Sequence, residues 1–170
     1  MEFYTAQFSQ IRYLEPYMIP FSTAAGEPSW YHDYKDRDNI FVDKHGVING
    51  LVAQPLLIDT KAMEQLFDSG CGCSRPCPFL SKIPHCPFMD LYRENLDKHD
   101  IKDVLSWFNK ICNQVKNQLK FKEEPIAILL VYEAAEVPCA ERVVIQNYFK
   151  SHGITVKEFT KDLFTKETLF

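Results

Sequence analysis

Four of the six cysteines in this 170-residue chain lie close together, with the spacing C-x-C-x3-C-x8-C. They are Cys71, Cys73, Cys77 and Cys86, and His85 stands beside the last of them. Short loops that carry several soft ligands suit a tetrahedral metal ion, because they bring the thiolates together at little extra cost in entropy. The stretch therefore predicts a metal site, which we call the cysteine knuckle.

Zinc is the first choice of metal, since four thiolates, or three thiolates and the imidazole of His85, make a closed structural site. An iron–sulfur cluster is the alternative, because Cys77-Pro78 and Cys86-Pro87 are similar to the Cys-Pro step at one ligand of bacterial ferredoxins. Disulfide bonds, which an intracellular location disfavours, and four unrelated thiols remain open as simpler interpretations. A closed zinc site has no open position for substrate, so its metal would be structural.

A second set of polar residues follows two predicted strands. Ser22 and Thr23 end one apolar run, Glu133 follows another, and Arg142 lies near the start of a predicted helix. In open α/β sheets, ligands bind outside the carboxyl ends of the strands. The sequence therefore predicts a small-molecule pocket at this edge of the sheet.

Cys139 begins the same predicted helix, where exposed N–H groups and the helix dipole favour a thiolate. One hypothesis is an enzyme with Cys139 as nucleophile, Glu133 or His32 as proton acceptor, and Arg142 one turn further along the helix. Nearby glutamates oppose thiolate formation, so a buried structural cysteine is the competing interpretation. Cys112 falls on the apolar stripe of a long predicted helix and is expected in the core.

The segment 25–39 is predicted to be a long surface loop with an aromatic string at its centre. Its Trp30, Tyr31 and His32 are candidate ligand-binding residues, because their rings could stack on a planar ligand such as a nucleobase. A loop folded on its own aromatics is the alternative. The chain has no glycine-rich phosphate loop, so nucleotide binding is inferred from the placement of these residues and not from a motif.

The elements that must position these residues alternate between strands and helices. Hydrophobic periodicity, together with the capping, glycine and proline residues that end elements, predicts strands at 2–8, 17–24, 126–132 and 154–159 and a hairpin at 40–48. The same signals predict helices at 59–67, 100–119 and 138–151. The order strand, helix, strand at 126–159 predicts parallel strands. Together these elements predict a single three-layer α/β domain over 1–170 with a mostly parallel sheet, and an insertion at 40–87 that carries the hairpin and the cysteine knuckle.

Composition and charge narrow the function classes. Hydrophobic residues make up 46% and charged residues 25%, as in an ordinary globular protein. The net charge of −4 gives no general attraction to nucleic acid or anionic membranes. The chain has no apolar run of membrane-spanning length and no basic leader at its start, so we expect a cytoplasmic protein without a membrane partner.

The leading hypothesis is a small-ligand-binding α/β protein, for a nucleotide or nucleobase, with a structural metal site. The alternatives are a cysteine-dependent enzyme that uses Cys139 and an interaction module in which the cysteine knuckle recognises a protein or a nucleic acid.

Short motifs at both ends of the chain match the pattern of a known family. They are Phe3-Tyr4-Thr5, a strand ending at Ser22, Trp30-Tyr31, Leu129-Leu130-Val131-Tyr132-Glu133, Cys139 and Arg142. These residues resemble the bacterial and phage family catalogued as domain of unknown function 488. In that family an apolar strand ends in Glu and a Cys-His-Arg sequence opens a helix, which reads here as Cys139-Ala140-Glu141-Arg142.

The resemblance covers about half of the chain and leaves 40–87 as an insertion. It implies a compact α/β fold with a polar pocket built from Ser22, Glu133, Cys139 and Arg142. Because the family has no established activity, the resemblance implies a fold and not a reaction.

Overall fold

The computed structural model describes residues 1–24, 26–31, 41–42, 46–68, 86–133, 135 and 140–163. Its strands are β1 (Glu2–Gln7), β2 (Met18–Ser22), β3 (Phe41–Val42), β4 (Ile48–Asn49), β5 (Ile126–Val131) and β6 (Val156–Glu158). Its α-helices are α1 (Thr60–Asp68), α2 (Pro87–Leu96), α3 (Ile101–Leu119) and α4 (Glu141–Ser151).

Four strands form one sheet in the order β2-β5-β1-β6, and every neighbouring pair is parallel. The apolar run of β5 is predicted to be covered on both faces, and the structure confirms this: β5 lies inside the sheet and its residues from Ala127 to Val131 are buried. In the register, Gln7 lies opposite Val131 and Ser22 opposite Leu130. The carboxyl ends of β1, β2 and β5 therefore meet at one edge of the sheet.

The helices α2, α3 and α4 cover one face of the sheet, which we call the helix face. Phe3 and Phe21 from the strands meet Phe108 of α3 there, with ring centroids 5.2 Å and 5.0 Å apart. The opposite face, which we call the second face, is covered by a 3-10 helix at Phe8–Tyr13 and by loop residues that include Tyr31. The predicted single α/β domain with a mostly parallel sheet is thus confirmed, with α-helices on one face of the sheet and a 3-10 helix and loops on the other.

The long helix predicted at 100–119 is present as α3. The carboxylate of Asp100 caps its start by accepting a hydrogen bond from the Lys102 backbone N–H at 2.8 Å. Cys112 is fully buried on the apolar face, as predicted, and this burial raises the pKa of its thiol to about 12. The last helix, α4, begins at Glu141, and Cys139 lies outside the described residues.

The predicted hairpin is confirmed by the antiparallel strands β3 and β4. After it, the chain runs beside the carboxyl end of β2, where a parallel bridge joins Val52 to Ser22. Ser22 donates its backbone N–H to the carbonyl oxygen of Leu51 and accepts from the N–H of Ala53, both at 2.8 Å. Residues 51–53 therefore extend the sheet next to Ser22. Within the described part of the chain, no helix combines the length and the apolar character needed to cross a membrane.

Candidate ligand-binding site at the carboxyl edge of the sheet

Charged side chains gather at the carboxyl edge on the helix face of the sheet. Glu133 lies two residues beyond the end of β5, and its charge adds to the effect of burial in raising the pKa of Glu141, so the two carboxyl groups are near each other. Glu141 and Arg142 occupy the first turn of α4, which starts over this edge, and Glu158 ends β6. Two predicted site residues, Glu133 and Arg142, therefore share this face with Glu141 and Glu158. These two glutamates were not among the predicted site residues.

Arg142 is the most unusual of these residues because its guanidinium is buried, with only 2% of the residue exposed. Its Nε lies 2.8 Å from Oε2 of Glu158, but this ion pair lacks the geometry of a hydrogen bond. No described residue forms a hydrogen bond with its Nη1 or Nη2. Buried polar groups are almost always paired, and a buried charge without partners is costly. As far as the described residues are concerned, Nη1 and Nη2 therefore keep their capacity to donate to an acceptor.

Glu158 is itself held by two polar neighbours. Its Oε2 accepts a hydrogen bond from the Thr5 hydroxyl at 2.7 Å, and Gln146 Nε2 donates to the same hydroxyl at 2.7 Å. Burial raises the pKa of Glu158, while the hydrogen bond from Thr5 and the charge of Arg142 oppose that rise. The carboxylate beside Arg142 is thus fixed by contacts from both β1 and α4.

Glu133 and Glu141 form the other half of the helix-face cluster. One carboxyl oxygen of each, Oε2, is buried and has no hydrogen-bond partner among the described residues. Burial raises the pKa of Glu141 to about 8, and the charge of Glu133 adds to the rise. Glu141 therefore carries a proton near neutral pH, so the two side chains together offer a hydroxyl donor beside carboxylate acceptors.

Ser22 and Thr23 occupy different positions from Arg142. Phe21 points to the helix face and Met18 to the second face, so alternation places Ser22 on the second face. The Ser22 hydroxyl is buried without a hydrogen-bond partner among the described residues. The Thr23 hydroxyl donates to the Leu130 carbonyl at 2.9 Å. The structure therefore does not bring Ser22 onto the same face as Arg142, and it gives Thr23 a backbone contact at the sheet edge.

An aromatic group lies at the same edge on the second face. Trp30 and Tyr132 are each about half exposed, and both pack on Phe8, with ring centroids 6.3 Å and 5.1 Å away. We call these three residues the aromatic ledge. Tyr31 is fully buried and its hydroxyl donates to the Leu51 carbonyl at 2.7 Å, so it serves the core. Tyr132, the last residue of an apolar run, was not among the predicted ligand-binding residues.

Several predicted site residues lie outside the described residues: His32, Cys71, Cys73, Cys77 and Cys139. Cys86 is described; it is half-buried, directly precedes α2 and packs against the helix-face core. Among the described residues, no group of three or more His, Cys, Asp or Glu side chains is arranged to hold a metal ion. The metal site and the nucleophilic role of Cys139 therefore stay predictions.

A groove of about 300 Å³ lies at the opposite, amino edge of the sheet. Its walls include Glu2 and Ile126, the first residues of β1 and β5, and Asn109 and Asn113 of α3. It is separated from Arg142 by the length of the strands, so it is not part of the predicted site.

Comparisons of the chain with models of protein families, with curated proteins and with solved structures found no match. The resemblance to domain of unknown function 488 therefore stays a prediction.

Proposed function

We propose that the protein binds a small molecule with an anionic group at the carboxyl edge of the sheet, and that Arg142 is the principal donor to that group. One observation carries this proposal: Arg142 is only 2% exposed, and its Nη1 and Nη2 atoms have no hydrogen-bond partner among the described residues. Carboxylate and phosphate oxygens match the geometry of such a fork and form strong, charge-assisted hydrogen bonds with it.

The neighbouring carboxyl groups narrow the class of ligand. The buried oxygens of Glu133 and Glu141 call for hydrogen-bond donors such as an amino group or a ring N–H, together with one acceptor for the proton on Glu141. The aromatic ledge lies at the same edge but on the second face of the sheet, and its Trp30 and Tyr132 rings are exposed, so a ligand held by Arg142 would have to reach across the edge to stack on them. A nucleotide combines a phosphate, donor and acceptor groups and a planar ring, so it is the ligand class that we favour.

Isothermal titration of the full chain with a panel of nucleoside monophosphates tests this proposal. Replacing Arg142 with Ala should weaken binding by about 100-fold or more, since a charge-assisted pair in a buried site is lost. Arg12 is exposed on the 3-10 helix and provides the matched control, so Arg12→Ala should bind as the parent protein does. Equal affinities for the parent and Arg142→Ala proteins, with both folded by circular dichroism, would contradict the proposal.

We also propose that the cysteine knuckle holds a structural zinc ion through Cys71, Cys73, Cys77 and Cys86. What supports it is the spacing of the four thiols and the place of Cys86, half-buried at the start of α2 and packed on the core. A metal there would tie the segment before α2 to the helix layer.

Metal analysis and the visible spectrum of anaerobically purified protein test the zinc proposal. One zinc per chain should be present in the parent protein and in Cys112→Ala, and it should be lost in Cys86→Ser. Brown absorbance together with stoichiometric iron would show that the site holds an iron–sulfur cluster and not zinc. Protein free of both metals would refute the site.

A cysteine-dependent enzyme is a second candidate function that one observation favours. Glu141 stands two residues after Cys139 in the chain and keeps a proton near neutral pH, because burial and the charge of Glu133 raise its pKa to about 8. A carboxyl group of that pKa is suited to general acid catalysis at a leaving group. In this version Glu133 or His32 takes the proton of the Cys139 thiol, and the sulfur forms a bond to an electrophilic atom of the ligand held by Arg142. The bond from that atom to the leaving group breaks, and Glu141 protonates the leaving group.

A further inference from the structure

We propose that Glu158 positions Arg142 so that the Nη1 and Nη2 atoms together grip one oxyanion of the ligand, with two oxygens bound side by side. The inference rests on the proposed binding function and goes further by naming the recognised group, a carboxylate or a phosphate, and the residues that set its geometry.

The ion pair occupies only one side of the guanidinium. Glu158 Oε2 approaches Nε at 2.8 Å, and no described residue forms a hydrogen bond with Nη1 or Nη2. A guanidinium has a second pair of parallel N–H groups, on Nη1 and Nη2, whose spacing matches the two oxygens of a carboxylate or of a phosphate. Nη1 and Nη2 can therefore form a bidentate contact, which we call the two-pronged contact, with two oxygens of one ligand group.

Two neighbours fix the position of Glu158. Thr5 donates to Oε2 at 2.7 Å from the adjacent strand β1, and Gln146 donates to the Thr5 hydroxyl at 2.7 Å from α4. Gln146 stands four residues after Arg142, so both side chains project from the same side of α4. The strand, the helix and the carboxylate therefore restrict the guanidinium to one orientation before ligand arrives, which lowers the entropic cost of binding.

A purely structural role for this ion pair would be to tie α4 to β6. In that case the side chain would need only one carboxylate near Nε. Burying Nη1 and Nη2 without partners would then destabilise the fold, with no hydrogen bond to offset their desolvation. A buried pair alone is weak evidence for stability, whereas an oriented fork with one end unpaired is the arrangement expected for oxyanion recognition.

Titration of the full chain with inorganic phosphate, methyl phosphate and acetate tests the inference and separates phosphate from carboxylate recognition. Arg142→Lys keeps the charge but cannot form the paired contact, so it should bind the preferred anion about 10-fold or more weakly than the parent. Glu158→Gln keeps the size of the side chain and should weaken binding by about 5-fold to 10-fold, while the melting temperature of the ligand-free protein reports any loss of fold.

Chemical rescue distinguishes positioning from structural support. Guanidinium ion added to Arg142→Ala should restore anion binding when Glu158 is present to hold it, and should restore far less in the Arg142→Ala/Glu158→Gln double variant. Equal rescue in the two proteins would overturn the role of Glu158. Parent-like affinity in Arg142→Lys would overturn the two-pronged contact and leave the proposed function intact, whereas parent-like affinity in Arg142→Ala would refute the proposed function itself.

Discussion

Replacing Glu141 with Gln should change how the stability of the protein depends on pH. Burial, with a further contribution from the charge of Glu133, raises the pKa of Glu141 from its ordinary value of 4.5 to about 8. The folded protein therefore keeps this proton up to about pH 8, while the unfolded chain loses it near pH 4.5. Because the unfolded state binds fewer protons in this window, the free energy of unfolding falls as the pH rises through it.

The size of the effect follows from the difference in pKa. Each unit of pKa difference changes the free energy of unfolding by about 1.4 kcal/mol, so a rise from 4.5 to about 8 can lower it by about 5 kcal/mol at most. When the carboxyl ionises, side chains rearrange and water enters, which makes the ionised form less unfavourable. We therefore expect the free energy of unfolding to fall by about 2 to 3 kcal/mol between pH 5 and pH 8. Glu141→Gln has no group to ionise there, so its stability relative to the parent should increase by this amount over the same range.

Urea unfolding followed by tryptophan fluorescence at pH 5, 6, 7, 8 and 9 measures this difference. Glu158 also has a raised pKa, but it is present in both proteins and its contribution cancels in the comparison. Glu94, exposed on α2, provides the control, and Glu94→Gln should run parallel to the parent at every pH. Parallel curves for Glu141→Gln and the parent would refute the reasoning, since they would show that the Glu141 carboxyl ionises as it does in water.

The remaining predictions address cysteine reactivity, the aromatic ledge and helix capping. A thiol-selective probe at pH 7.5 should label Cys139 much faster than Cys112, whose burial raises its pKa to about 12, and equally slow labelling of both by mass spectrometry would count against the enzyme hypothesis. Trp30→Ala and Tyr132→Ala should each weaken nucleotide binding by about 10-fold through lost stacking, as measured by titration, and unchanged affinity in both would remove the ledge from the site. Asp100→Ala should lower the free energy of unfolding by about 1 kcal/mol in urea, because it removes the cap of α3, and a change near zero would show that the backbone N–H is equally well satisfied by water.

The sequence predicts the framework well because its elements carry strong periodic patterns. The apolar stripe of α3 repeats through five turns, and the unbroken apolar run of β5 is typical of an interior parallel strand. Both patterns depend only on local spacing and burial. They are sufficient to predict the parallel sheet and the edge at which Glu133 and Arg142 lie.

The details of the site depend on contacts that local patterns do not encode. All five residues of β2 are buried, so hydrophobic alternation cannot reveal which face Ser22 points to. Glu158 ends a three-residue strand with no motif around it, and only the pairing of β6 with β1 brings it to Thr5 and then to Arg142. Glu141 is visible in the sequence as a charge near Cys139, but its protonation arises from burial in the folded chain.

The backbone hydrogen bonds between residues 51–53 and Ser22 also affect self-association. An outermost strand normally presents free N–H and carbonyl groups that can recruit a strand from another molecule, which leads to aggregation. In β2 the backbone groups of Ser22 are already used by Leu51 and Ala53, and Pro20 has no N–H to donate. At the other border β6 is only three residues long. Both margins of the sheet are therefore poor templates for intermolecular β-pairing.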